Sequence, residues 1–210
     1  MKKTNAIRPI APLHTGKRYR TILADPPWDV LQRGHRGASQ HYDLMTVDQI
    51  KAMPIADLAE ADAHLWLWVT NATLRHGYDV MDAWGFTYRS PLTWVKPRLQ
   101  LGHYLRNMTE HVLFGTRGHA PVNFRAQPTW FIAPVQEHSH KPEEQFGIIE
   151  RVSPGPYLEL FARRRQPGWD VWGNEIDSDI EIPGYPVPSA QERARNPDKH
   201  HRARPTETAA

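Results

Sequence analysis

An α/β fold with a mostly parallel sheet and helices on both faces is what this sequence predicts. Three observations lead there. Short apolar runs recur along the chain and are separated by stretches with helical apolar spacing. Helix start and stop signals fall between those runs, not within them. The 210 residues, 40% hydrophobic and 23% charged, suit one domain with its own core.

Residues 1–18 read as an N-terminal lead-in. Residues 19–24 (YRTILA) form a buried strand. Asp25-Pro26-Pro27-Trp28 ends it, because two prolines can continue neither a ladder nor a helix. Residues 29–45 hold polar and flexible clusters and are expected to be a mobile loop. Thr46 opens a helix, with Gln49 three positions on completing a capping box.

Residues 63–69 (AHLWLWV) are a second buried strand. Asn71 is the expected N-cap of a helix over 72–84, which Gly85 stops. Residues 88–95 form a further strand, with Pro91 marking an edge or a bulge. Residues 96–107 are a polar loop, and 110–114 and 130–133 are strands. A helix over 142–152 starts on a proline and ends before Pro154 and Gly155. Strands at 157–162 and 169–172 follow. Residues 183–210 are basic and proline-rich, the composition of a disordered tail.

The chain has no cysteine, which excludes disulfides, thiolate catalysis and cysteine-bound zinc. No apolar run approaches the ~20 residues of a bilayer span. The N-terminus starts basic but lacks the apolar segment of a signal peptide. The expected location is the cytoplasm, with no membrane partner. The net charge is +3, and Arg193, Arg195, Lys199, Arg202 and Arg204 against Glu192, Asp198 and Glu207 place most of the excess in the tail. That charge permits nucleic-acid binding but does not specify it.

In open α/β sheets, ligands gather at the carboxyl ends of strands, where Asp25 to Trp28 sit. A carboxylate, a rigid carbonyl and an indole at that place suit methylation of the exocyclic amine of adenine. The amine's lone pair is delocalised into the ring. Asp25 and the Pro26 carbonyl can accept its two N–H protons and localise the pair, and the Pro26-Pro27 pair keeps that carbonyl rigid. Trp28 can grip the extruded base, with stacking worth about 1–3 kcal/mol. An activated sulfonium donor requires no strong base, so the work is positioning and electrostatics. The competing reading is a proline turn that caps a strand, with Asp25 and Trp28 structural.

ILADPPWDV, HYDLMTVDQI, HLWLWVTN, WGFTYRSPLTWVK, GHYLRNMTEHVLFGTRG, HSHKPEEQFGIIERVSPGPYLELFARR and GWDVWGNE occur in that order. Together they resemble the MT-A70 family of adenine-N6 methyltransferases, typified by the catalytic subunit of the eukaryotic messenger-RNA methylase and including compact bacterial and phage forms. The resemblance runs from about 19 to 176. It implies a Rossmann-like fold over 19–182 that uses S-adenosylmethionine, with the catalytic motif before the cofactor motif. A G-x-G-x-x-G loop is absent.

The resemblance implies that Asp25 and Lys141 bind the cofactor, with Lys141 on its carboxylate. Arg163 lies near the ribose and methionine end. Asn174 and Glu175 hold the ribose or adenine, Glu175 replacing a glutamine of some relatives. Tyr42, Lys96, Arg106 and Asn107 lie in the two loops that close over the target nucleotide. Arg33, Arg36, Lys96, Arg98 and Arg106 are candidates for phosphate contacts. His103, His111, His138 and His140 do not make a metal site without cysteines or an acid pair.

The expected partner is nucleic acid, DNA in preference to RNA because the chain resembles the compact forms. A homodimer is left open. Two rivals stand beside this reading. Related sheets methylate cytosine or glutamine amines with serine or asparagine in place of Asp25. Inactive relatives bind nucleic acid but lack the aspartate and the cofactor lysine.

Overall fold

The computed structural model describes residues 16–29, 44–100, 102, 104–136 and 140–182. The loop expected over 29–45 falls mostly outside the described residues, as do the tail and all but the end of the lead-in.

The strands are β1 (Tyr19–Ala24), β2 (Ala59–Val69), β3 (Thr87–Val95), β4 (Thr109–Arg117), β5 (Trp130–Ile132), β6 (Tyr157–Leu160) and β7 (Trp169–Trp172). The helices are α1 (Val47–Lys51), α2 (Ile55–Leu58), α3 (Leu74–Ala83) and α4 (Glu144–Val152). One sheet holds all seven strands in the order β5-β3-β4-β2-β1-β6-β7. β1 runs parallel to β2 and β6, β6 to β7, and β3 to β5, while β4 is antiparallel to both its neighbours. Six strands therefore point one way and β4 alone is reversed. This is the Rossmann-like, mostly parallel sheet that the sequence predicts.

Alternation along the central strands divides the apolar side chains between two cores. Leu65, Leu67 and Val69 of β2 join Ile22 and Ala24 of β1, and Ile50, Ile55, Val80, Met81 and Trp84 from α1 to α3 and the turn after it close over that face. Trp66 and Trp68 point the other way, with Leu23, to meet Phe146, Ile148, Ile149 and Val152 of α4. α3 lies close on the sheet because Gly77 has no side chain. A Cβ there would stand 2.6 Å from Val69 Cγ1 and 2.8 Å from Leu113 Cδ1.

Several local signals act as their chemistry predicts. Thr46 and Gln49 form the reciprocal capping box. Pro91 falls on the part of β3 that β5 does not cover, and the register shifts just before it, between Tyr88 and Ser90. β2 begins at Ala59, four residues before the apolar run.

One assignment is corrected. Asn71 does not cap α3, whose N-cap is Thr73. Thr73 is fully engaged with Thr70, and the side chain of Asn71 reaches instead to Asn107 and Thr109. A tertiary set of three acceptors outcompetes the local cap.

The chain passes from β1 to β2 on one side and returns to β6 on the other. β1 is thus the point where strand order switches, and a crevice opens outside the carboxyl ends there.

Candidate active site

Asp25 leaves the end of β1 into that crevice. The cleft is lined by Asp25, Trp68, His140, Lys141, Gln145, Glu159, Phe161, Arg163 and Arg164. β6 ends beside it at Phe161, which holds φ at +63°, a left-handed conformation rare outside glycine. The turn carries the chain away from the sheet and leaves Phe161, Arg163 and Arg164 on the cleft wall.

The Asp25-Pro26-Pro27-Trp28 segment is fixed at several points. The Trp28 N–H donates to the Pro26 carbonyl at 2.9 Å, a tight turn centred on Pro27. Met45 N–H donates to Pro27 O, and Asp29 N–H to Met45 O, each at 2.8 Å. The Trp28 indole N–H donates to the Trp68 carbonyl at 3.2 Å. The Pro26 carbonyl therefore has one acceptor position engaged within the turn and a second lone pair in hand.

Charges in the cleft form a connected chain. The Lys141 ammonium donates to Asp25 Oδ2 at 2.7 Å and lies 3.7 Å from Glu110 Oε2. Glu110 Oε1 in turn pairs with Lys96. Two indoles carry the lysines: Lys141 Nζ is 5.1 Å from the Trp68 ring centre and Lys96 Nζ 4.5 Å from that of Trp94. Burial disfavours the Lys141 ammonium, but the carboxylates of Asp25 and Glu110 outweigh it and hold the pKa above the usual lysine value. Lys141 is a fixed cation.

Glu159, in the middle of β6, was not found from the sequence. Its Oε2 is buried with no hydrogen-bond partner among the described residues. Burial first, and then repulsion from Asp25, push its carboxyl pKa up to about 8, against a smaller opposing pull from Arg164. The only sequence signal was an acid inside an apolar strand, a costly placement unless something pairs with it. Glu110 was missed for a different reason: nothing local marks it, and its partners come from β3 and the turn before α4.

The expected cofactor residues divide into two groups. Lys141 and Arg163 line the cleft with Asp25. Asn174 and Glu175 lie on the exposed turn after β7, outside the cleft wall. Glu175 approaches Arg163, with 3.8 Å between Oε1 and Nε.

The substrate-side residues are more dispersed. Lys96 is a correction: it is buried against Trp94 and paired with Glu110, not an exposed loop cation. Its ammonium belongs to the charge chain. Arg106 is exposed and donates to the Gln100 carbonyl at 2.9 Å, within its own loop. Asn107 accepts from Asn71 at 3.2 Å. Arg98 is exposed. Tyr42, Arg33, Arg36, His103 and His138 lie outside the described residues. His111 bonds Thr93 and Asn71, and His140 lines the cleft.

The donor set fits S-adenosylmethionine. That molecule carries an amino-acid end with both charges and a sulfonium. Lys141, Arg163 and Arg164 can hold the carboxylate. Asp25 offers a carboxylate oxygen to the ammonium and sulfonium, and Glu159 Oε2, without a hydrogen-bond partner among the described residues, is an acceptor that such a cation would satisfy.

The seven-stranded mixed sheet with helices on its faces matches the α/β Rossmann-like methyltransferase fold. The chain belongs to the MT-A70 family, whose model matches residues 19–175. Methyltransferases of this family use S-adenosylmethionine as methyl donor.

The chain is 35% identical over 173 residues to the N(6)-adenosine-methyltransferase MT-A70-like protein of Drosophila melanogaster, covering 76% of this chain and 27% of that protein. It is 34% identical to the human N(6)-adenosine-methyltransferase catalytic subunit METTL3, covering 76% of this chain and 28% of METTL3. The chain thus spans about a quarter of the length of these eukaryotic relatives. Similarity to the Type II methyltransferase M.MunI of a Mycoplasma species is 28% over 205 residues, covering 86% of this chain and 88% of that enzyme.

Proposed function

We propose that this chain transfers a methyl group from S-adenosylmethionine to the exocyclic amine of adenine in DNA. The observation that carries the reading is the Asp25 carboxylate, held 2.7 Å from Lys141 at the switch point of the sheet.

When bound, the cofactor supplies a methyl group on a sulfonium. The chain's own groups do the rest. Lys141 engages Asp25 through Oδ2, which leaves Oδ1 to accept one proton of the amine. The second lone pair of the Pro26 carbonyl accepts the other. The tight turn fixes the two acceptors relative to each other, so little reorganisation is needed as positive charge develops on the nitrogen. Trp28, half-buried and anchored on Trp68, offers a ring plane to an extruded base.

DNA is preferred because one relative that matches this chain along most of both lengths is named a Type II methyltransferase. RNA is the second reading, favoured by the higher identity to the N(6)-adenosine-methyltransferases.

The test is incubation with labelled cofactor and matched DNA and RNA oligonucleotides, then digestion and mass spectrometry. N6-methyladenine in the DNA supports the proposal. The mark in RNA alone would overturn the choice of polymer. Methyl incorporation into oligonucleotides without adenine would overturn the choice of base.

A further inference from the structure

We propose that Trp68 and Gln145 form a positioning pair that sets the geometry of the reaction centre, with Gln145 locking the indole on which Lys141 and Trp28 depend. Neither residue belongs to the acceptor turn or to the charge chain, yet Trp68 touches both.

Four contacts meet on Trp68. Its carbonyl accepts the Trp28 indole N–H at 3.2 Å. Its ring face lies beneath the Lys141 ammonium, 5.1 Å from ring centre to Nζ. Its own indole N–H donates to Gln145 Oε1 at 2.7 Å. An edge-on contact with Trp94, 6.1 Å between centres at 84°, relates it to the second lysine-bearing indole. Any tilt of the Trp68 ring therefore moves the seat of Lys141, and through Lys141 the oxygen of Asp25.

Gln145 is what prevents that tilt. It is 2% exposed, in the first turn of α4, and its backbone N–H donates to the Pro142 carbonyl. The indole nitrogen is a donor only, so the glutamine oxygen must face it. A buried donor without an acceptor is costly, and an apolar residue at 145 would drive the indole to seek another partner. The same short segment carries Lys141 and Gln145, so one stretch of chain supplies both the cation and the lock for its aromatic seat. An acceptor at this position is not explained by packing alone, since every other buried residue of α4 is apolar.

The experiment is a cycle of Gln145→Met, Trp68→Phe and the double variant. S-adenosylhomocysteine affinity is measured by calorimetry, and kcat and KM with an adenine-containing oligonucleotide. Gln145→Met keeps the shape and removes the acceptor. It is expected to weaken S-adenosylhomocysteine about tenfold and lower kcat by a similar factor, the scale of one orphaned buried donor. The oligonucleotide KM is expected to stay within twofold.

Phenylalanine at 68 has no N–H to satisfy. Adding Gln145→Met to Trp68→Phe should therefore change affinity and kcat less than twofold further. Independent, multiplying effects would overturn the proposal. So would a Gln145→Met protein that melts earlier yet keeps affinity and kcat within twofold, since that is the mark of a packing role. If Trp68→Phe does not fold, the Gln145→Met values decide alone.

The kcat readout rests on the adenine reading; the calorimetric one does not. Unaltered protein that binds S-adenosylhomocysteine but methylates no oligonucleotide would sink that reading, while the affinity of Gln145→Met would still decide the role of the pair.

Discussion

The Lys141 ammonium stands 2.7 Å from the Asp25 carboxylate although 116 positions separate them in the chain. The contact joins the end of β1 to the lead-in of α4, and Glu110 of β4 braces it from a third element. A lysine with two acids around it cannot give up its proton near neutrality. Its role is to hold the Asp25 carboxylate in one orientation.

Asp25→Asn tests that role. The amide keeps the shape but offers one oxygen where the carboxylate offers two, and it turns an N–H₂ toward Lys141 or toward the amine. Turnover is expected to fall about 10²–10³-fold, the scale of one lost preorganised electrostatic contact. The thermal midpoint should move little, because the Asp25 side chain is 28% exposed and Lys141 keeps Glu110. A kcat within threefold of the unaltered protein would remove Asp25 from the chemistry.

Glu159 makes cofactor affinity depend on pH. Its carboxyl is protonated up to about pH 8 in the free protein, because burial and Asp25 disfavour the charge. A cation placed against it would drive the proton off. Binding then releases a proton, and affinity rises with pH by up to tenfold per unit until about pH 8, where it levels. Calorimetry of S-adenosylmethionine in buffers of different ionisation enthalpy reads the proton directly. Glu159→Gln should flatten the profile, and a profile unchanged by that substitution would place the cation elsewhere.

What could be read from the sequence follows the range of the interactions. The acceptor turn was legible because an apolar strand running into Asp25-Pro26-Pro27 has few local alternatives. The capping box at Thr46 was legible because both of its bonds span three residues. Lys141 and Arg163 were placed by family resemblance, and the cleft brings them together. Lys96 was misjudged because a lysine between a strand and a polar loop looks solvated. Its partner lies 14 positions on, and the neighbouring strand brings the two together. Asn71 was misjudged because its cap pattern is local and its real partners are not. Glu159 left only the trace of an acid inside an apolar strand and Gln145 left none: each sits in a sound strand or helix, and only tertiary neighbours give it a task.

Asn71 ties the substrate-side loop to the sheet. Its amide donates to Asn107 at 3.2 Å and to the Thr109 carbonyl at 3.1 Å, and its oxygen bonds His111 at 3.1 Å. It does not line the cleft. Asn71→Ala should raise the KM for the oligonucleotide about three- to tenfold, the scale of one or two lost hydrogen bonds. S-adenosylhomocysteine affinity should stay within twofold. The reverse pattern, a weaker cofactor and an unchanged oligonucleotide KM, would detach the loop from substrate binding.

Stability against pH should show two opposed slopes. His64 is fully buried between Ser153 and the Ala120 carbonyl. Ser153 Oγ accepts the Trp66 indole N–H, so its own proton goes to His64 Nδ1, and His64 Nε2–H donates to Ala120. Burial, helped by repulsion from Arg20, lowers the His64 pKa from 6.5 against the opposing pull of the Ala120 hydrogen bond. The unfolded chain takes the proton first, so stability is lost as pH falls below about 6.5. His111, lowered by burial as well, adds in the same direction. Glu159 acts oppositely: unfolded it ionises near 4.5, folded near 8, so stability falls as pH rises between those values. Its slope is at most about 1.4 kcal/mol per pH unit. From pH 6.5 to 8 Glu159 acts without the histidines, and thermal midpoints should decline. In Glu159→Gln that decline should vanish, and the loss on acidification from pH 6.5 to 5 should emerge uncompensated. A Glu159→Gln protein still declining above pH 6.5 would clear Glu159 of the effect, and one equally stable at pH 6.5 and 5 would clear both imidazoles.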